Sequence, residues 1–560
     1  MSASGGPGPR TRARRFGDSA LLVPADSPAA AVRLADAVAA ASLPGVDDVV
    51  PGMRSVVLVV DPTHAHLADL VDRLDVLDPA SVPPPRGREH FVPTVFDGPD
   101  LADAARTLGA GVDEIVDALA AATLRVATLG FSPGFAYLDG LPAPLDALGR
   151  RATPRSAVPP GSVAVAGGFA AVYPQATPGG WHLVGRTGLT MFDPSTPPYS
   201  RFQPGDTVRF VPAAAGPGSD PPRSGGAGGR RPAWSVDPGR RVAFTVEDPG
   251  FLTLAQDRGR LGLAHLGVPT GGPADPVAHE LANRLVGNRP GATALEITAR
   301  GPTLVAAAEL HVAVVGDDPA VSLDGREVAA GTVVPVRPGQ RLAVGAVRAG
   351  LRAALAVSGG LVVPAVMGSR STDTLSWVGP GPVRAGDELG LGRRGTDGGL
   401  ADHLAPGAVA TPSGGHRRLR VVGGPHAEWF AHDALERLGA TGFVVDDASD
   451  RVGLRLRPAG APADLGRRAG ELDSQGMVTG AVQVPPDENP VVLGPDHATL
   501  GGYPVLAVVI RADRGVLGQC RAGDLVTLVP VSIDDAERAG RALDRSLAEA
   551  VVGRYPVQPA

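Results

Sequence analysis

Two carboxylates stand out by their company. Asp257 lies in Gln256-Asp257-Arg258-Gly259-Arg260, where a short apolar run ends in charge and a glycine. Glu296 lies in Leu295-Glu296-Ile297-Thr298, a run of apolar and β-branched residues. A carboxylate in such a strand is costly unless it is paired, faces water or is put to use. Carboxylates held in place can move protons and steer water, so both are candidate acid–base groups. An ion pair to Arg258 or Arg260 is the structural alternative for Asp257. Asp496, beside His497, is a third candidate. In the same region Gln483 could hydrogen-bond an amide, and Gly502 before Tyr503 would let a ligand approach the backbone closely.

A second set lies earlier in the chain. Pro133 and Gly134 sit in a rigid-looking loop, Phe131-Ser132-Pro133-Gly134-Phe135, with Tyr137 just beyond. Gly180 ends a Thr-Pro-Gly-Gly turn, and His182 and Arg186 follow it. Arg186 could hold a carboxylate or phosphate; a surface ion pair explains it equally well. No His or Cys spacing matches a zinc site, and there is no Gly-x-Ser-x-Gly nucleophile elbow, so no metal ligands are assigned.

The elements that must position these residues are short. Asp275 can cap a helix with Pro276 at its first position, and Val277, Leu281 and Leu285 give that helix one apolar face. Residues 27–41 and 67–77 have helical periodicity, and 46–50 and 55–60 are strand-like, which makes 16–88 a small α+β domain. Helices at 101–109 and 112–122 belong to a further unit, 89–212. Residues 1–15 look like a disordered basic leader, and 213–238, rich in Gly, Pro and Ser, like a linker between separate folding units. The second half divides into a first lobe (239–395), a connection (396–416), a second lobe (417–533) and a C-terminal helix and tail (534–560). An internal repeat links the halves: Gly161-Ser-Val-Ala-Val parallels Gly480-Ala-Val-Gln-Val, and Ala176-Thr-Pro-Gly-Gly-Trp parallels Ala498-Thr-Leu-Gly-Gly-Tyr. QPGDTVRFVP (203–212) and RAGDLVTLVP (521–530) close both copies.

Composition narrows the function classes. At 560 residues the chain is too long for one core. High Gly and Pro with 4% aromatics favour turns and short strands over long helical bundles. A net charge of −6 argues against general nucleic-acid binding. The apolar segment 156–185 holds four prolines, so no membrane span is expected, and with one cysteine and no secretory signal a cytoplasmic location is expected. The chain has no lysine: all 52 basic residues are arginine. It therefore carries no biotin on a lysine, forms no Schiff base and has no P-loop lysine.

Beyond residue 240, the blocks QDRGRLGLAHLGVPTGGPAD, ANRLVGN, ALEIT, PAVMGSRSTD, SQGMVTGAVQVP and GPDHATLGGYPVLAVVI resemble the carboxyltransferase family that holds the C subunit of 5-oxoprolinase and part of urea carboxylase. TLGFSPGFAYLDGLP and ATPGGWHLVGRT, within 16–212, resemble the B subunit of 5-oxoprolinase. The resemblance implies a fusion of B and C, mainly β with α+β, with cyclophilin-like β-barrel domains plus the small N-terminal α+β domain. It implies hydrolysis of 5-oxoproline to glutamate coupled to ATP, with Mg as its companion, and a separate A subunit of 5-oxoprolinase as partner; the oligomeric state is left open. Two alternatives stand beside it. One is a carboxyltransferase acting on urea or a related amide with biotin supplied in trans; the other is a regulatory binding protein of the kinase-inhibitor type.

Overall fold

Ser27 starts the first helix by accepting the Ala30 N–H at 3.2 Å, with Pro28 at its first position. The computed structural model describes residues 13–83, 87–216, 234, 236, 239–393, 399–405 and 415–553. In it this helix, Pro28–Ala41, buries Ala31, Ala35 and Val38, spaced to share one face. They cover an antiparallel sheet in the order Arg14–Arg15, Ala20–Pro24, Ser55–Val60, Val46–Pro51. The expected leader is thus shorter than proposed: Arg14 and Arg15 pair with Leu22 and Leu21, while 1–12 lie outside the described residues. The pairing of Val46–Pro51 shifts register between Val46 and Asp48, a bulge that matters below.

The fold is mainly β, and the internal repeat becomes a pair of seven-stranded barrels built to one plan. In the first, Glu89–Thr94 and Thr207–Pro212 run parallel, and the ring closes through a Val95–Arg186 bridge. In the second, His416–Gly423 and Leu525–Pro530 form the corresponding parallel pair in a closed barrel. Ser162–Ala166 and His182–Arg186 occupy the places of Ala481–Gln483 and Val505–Val509. Alternate residues such as Val92, Val126, Leu138 and Phe210 fill the first barrel, as the two-residue strand period requires.

Between the barrels in sequence, two sheets pack face to face. Leu295 and Ile297 join Phe244, Leu304 and Leu342 in their shared core. Strand alternation then turns Glu296 to the opposite face, the side on which helix Pro276–Leu285 packs against Ala313, Ala354 and Ala356. Two stretches read as connections hold structure. Trp234, in the expected linker, is only 5% exposed and donates its Nε1–H to Gly381 O at 2.7 Å. An indole brings more apolar area than that polar stretch suggested. In the expected connection at 396–416, His403–Leu404 pairs with Val551–Val552. Among the described residues, no helix is long and apolar enough to cross a membrane.

The halves share a core, contrary to the expectation of separate folding units. Phe16, Met53, Tyr137 and Trp181 from the first half cluster with Met477, Leu500 and Val508 from the second. Backbone approach makes this possible: a Cβ on Gly130 would lie 2.1 Å from Leu500 Cγ, and one on Gly476 2.7 Å from Val57 Cβ. Met53 N–H donates to Ser474 O at 2.8 Å, and Gly134 N–H to Leu266 O at 3.0 Å.

Candidate functional site

Asp450 accepts the Val452 and Gly453 N–H groups, and the turn sends Arg451 inward. The Arg451 side chain is buried and tied on every edge. Its Nε and Nη2 donate to Asp496 at 2.8 and 2.9 Å, Nη1 to Glu296, and Nη2 also to Gly272 O at 2.7 Å. Burial alone would weaken this guanidinium's hold on its proton; Asp496 and Glu296 more than offset that and hold its pKa above the ordinary arginine value. Glu296 also accepts Ala274 N–H at 2.6 Å and lies 3.7 Å from Arg352 Nε. Burial would raise its pKa, but Arg451 and Arg352 bring it below the usual range. Asp496 takes two further bonds, from Thr374 N and Oγ1. One arginine thus joins the sheet carrying Glu296 to the barrel carrying Asp496.

Asp257 is a clamp of the same kind. Oδ1 accepts from Gly259 N, Ser369 Oγ and Ser371 Oγ at 2.9, 2.5 and 2.8 Å, and Oδ2 from Arg370 N at 2.7 Å. Burial works to raise this carboxyl's pKa, and these bonds together take it below the ordinary value.

The network stands behind a cavity of about 790 Å³, a volume suited to a small molecule. Its wall comes from three domains. Asp47 and Asp48 belong to the N-terminal sheet, Arg258 and Thr374 to the first lobe, and Arg451, His497, Thr499 and Arg514 to the second barrel region. Three of these residues each hold one polar atom that is buried without a hydrogen-bond partner: Asp48 Oδ2, Thr499 Oγ1 and Arg514 Nε. Buried polar atoms are nearly always satisfied, so three unpaired ones on residues of one cavity wall make that wall a candidate for a polar ligand. His497 donates Nδ1–H to Ala498 O at 2.8 Å, which leaves Nε2 as the ring's acceptor, and burial lowers its pKa. Cys520 also lines the cavity, but burial pushes its thiol up to about 12, so it offers no thiolate. The arrangement can hold an anionic group on arginine and exchange a proton with a neutral polar one. Among the described residues, no three His, Cys, Asp or Glu side chains are placed to hold a metal ion.

None of the catalytic and binding candidates read from sequence lines this cavity. Asp257, Glu296 and Asp496 support it from behind. Pro133 and Gly134 are buried at the junction of the halves, and Tyr137, 7% exposed, joins the core shared there and bonds Ser474. Gly180 O accepts Arg151 N–H, and His182, its pKa lowered by burial, lies on the same side of the first barrel. Arg186 Nε is 3.0 Å from Asp97 Oδ2, the surface ion pair foreseen as the alternative. Gln483 Nε2 contacts Met477 Sδ, Gly502 O accepts Leu472 N–H, and Tyr503 is half-buried beside it. Asp48, Arg451, Thr499 and Arg514 were not singled out. The available signal for Asp48 was the Asp47-Asp48 pair interrupting an alternating apolar strand.

Residues 266–530 match the model for carboxyltransferase domain subdomains A and B, and residues 11–202 that for subdomains C and D. The chain is 34% identical to the C subunit of 5-oxoprolinase from Escherichia coli K12 over 293 residues, 52% of this chain and 92% of that protein. It is 38% identical to the B subunit of 5-oxoprolinase from Escherichia coli O157:H7 over 178 residues, 31% of this chain and 81% of that protein. Urea amidolyase of Lachancea kluyveri is 33% identical over 329 residues, 54% of this chain; the chain spans only 18% of its length. Among solved structures, that of TTHA0988 superposes with a TM-score of 0.78 at 34% identity, covering 92% of this chain and 99% of its own.

Proposed function

Because the chain belongs to the carboxyltransferase-domain family that holds the B and C subunits of 5-oxoprolinase, and spans both, we propose that it is the fused B/C component of an ATP-dependent 5-oxoprolinase, working with a separate A component. The supporting observation is the cavity at the junction: Asp47 and Asp48 come from the B-like half, and Arg258, His497 and Arg514 from the C-like half. A site walled by both halves explains why both are carried in one chain.

The substrate would be 5-oxoproline, a carboxylate joined to a cyclic amide. Arg514 and Arg258 suit the carboxylate, since guanidinium groups match its geometry. The amide is a poor electrophile, and transfer of a phosphoryl group from ATP to its oxygen makes the carbon open to water. Charge that develops there falls within a low-dielectric cavity edged by guanidinium groups, where such stabilisation counts most. The test is glutamate release from 5-oxoproline and ATP, with this chain and an A-component protein added singly and together. Release only from the combination supports the reading; ATP-dependent release by this chain alone overturns the three-component form.

A second reading has its own support in the urea amidolyase match across 54% of the chain. It predicts biotin-dependent carboxylation of urea or a related amide, with carrier and carboxylase in trans. Carboxylation in place of glutamate release, under any combination of components, decides for it.

A further inference from the structure

The bulge between Val46 and Asp48 breaks the alternation of its strand, so that Asp47 and Asp48 both reach the cavity wall. Bulges commonly re-aim a side chain next to a site. Asp48 is 3% exposed. Its Oδ1 is fixed from across the junction by Ala264 N–H at 3.1 Å, while Oδ2 has no partner. Asp48 also lines a second cavity of about 440 Å³, together with Asp36, Gln203 and His265. Asp48 therefore lines both cavities, with its carboxyl held from across the junction and one of its oxygens buried without a close hydrogen bond.

We propose that Asp48 is the proton-transfer group of the large cavity, acting on the amide nitrogen of the ligand. This rests on the amide-opening reading above. Water adds to the carbonyl carbon whose oxygen carries the phosphoryl group from ATP, the C–N bond breaks, and its electron pair passes to nitrogen. The Asp48 O–H supplies one proton that nitrogen takes up; of the two the attacking water gives up, one restores the Asp48 carboxyl and the other ends on the ammonium group. The acyl phosphate so formed carries the water's oxygen, and a second water splits it to the new carboxylate and inorganic phosphate. The second cavity gives Asp48 a path to exchange protons without opening the first.

The surroundings suit the role. Burial raises the pKa of this carboxyl to about 7; the Ala264 and Gly262 N–H groups oppose the shift and the Asp47 charge adds to it. A general acid works best when its pKa is near the working pH. Besides Asp47, the charged and titratable groups nearby are His265 on the packed turn, Asp36 on the helix, and Arg258, Arg514 and His497 on the cavity wall.

The test uses the full chain with an A-component protein, ATP and 5-oxoproline. Asp48→Asn should lower kcat by about 10²-fold or more with KM little changed, and Asp48→Glu should recover part of it. The wild-type rate should fall as pH rises above 7, and the residual Asp48→Asn rate should lack that limb. Infrared difference spectra, with the Asp48 carboxylic band assigned by its loss in Asp48→Asn, should show the band shift when 5-oxoproline is added. A shifted band with no glutamate release by the wild type sinks the 5-oxoprolinase reading but keeps Asp48 on the ligand. Wild-type turnover in Asp48→Asn, a retained alkaline limb, or a band indifferent to 5-oxoproline overturns the assignment.

Discussion

Arg451 meets Asp496 through two side-by-side hydrogen bonds, 2.8 Å from Nε and 2.9 Å from Nη2, where neither side chain reaches solvent. Fork-to-fork pairing of this kind fixes direction as well as distance. With Glu296 on the remaining amine, the arginine sets the angle between sheet and barrel behind the cavity.

Arg451→Met should therefore cost about 3–5 kcal/mol, because it leaves Glu296 and Asp496 buried and charged with no cation between them. Arg451→Lys should also destabilise, since an ammonium lacks the planar fork. Adding Glu296→Gln and Asp496→Asn to Arg451→Met should recover part of the loss. Urea-unfolding midpoints measure all three; a midpoint for Arg451→Met equal to wild type would leave the triad without a structural role.

Asp257→Asn should lower the melting temperature at neutral pH, because an amide cannot accept all four bonds made to Asp257. The folded-state pKa of Asp257 is depressed, so its contribution is present above the unfolded value of about 3.9 and is lost as pH falls through the folded one. Melting curves of wild type and variant should converge in acid. A gap that stays constant with pH would contradict an electrostatic clamp.

Much of the local structure could be read from the chain. Ser27 and Asp275 mark helix starts because capping depends on residues three apart; the Gly161 and Gly480 repeats foretold a strand-rich domain in each half, while the barrel closure was implied only by the family resemblance. The site resisted for the opposite reason. Arg451 finds Asp496 and Glu296 at separations of 45 and 155 residues. Asp48 is anchored by a backbone group 216 residues away. Nothing within a short window records such a meeting. Asp257 and Glu296 stood out because of their immediate neighbours, whereas nothing beside Arg451 or Arg514 in the chain tells that they meet at one cavity.

Asp48→Asn should stabilise the protein at pH 8. The folded-state pKa, about 7, is raised above the unfolded value, so the native state binds the proton more tightly and stability falls as pH climbs from about 4 to 7. The amide removes that loss, to a ceiling of about 4 kcal/mol. The gain in melting temperature should shrink toward pH 4. An equal gain at both ends would mean the effect is not one of charge.

A protease site placed within 217–233 and cut to completion should leave the halves together on gel filtration, because the core around Met53, Tyr137, Met477 and Leu500 does not depend on the chain between them. Fragments that separate under native conditions would show that core to be too weak to hold unaided.

The close contacts at Gly130 and Gly476 leave no slack between the two surfaces. A single methyl group on either side meets the opposite wall. Halves drawn from different organisms would bring mismatched shapes to that seam, so recombination within the reading frame should be tolerated only where both surfaces cross over together. What passes to the next generation is then a matched pair of faces, kept as one unit of inheritance by the single chain that encodes them.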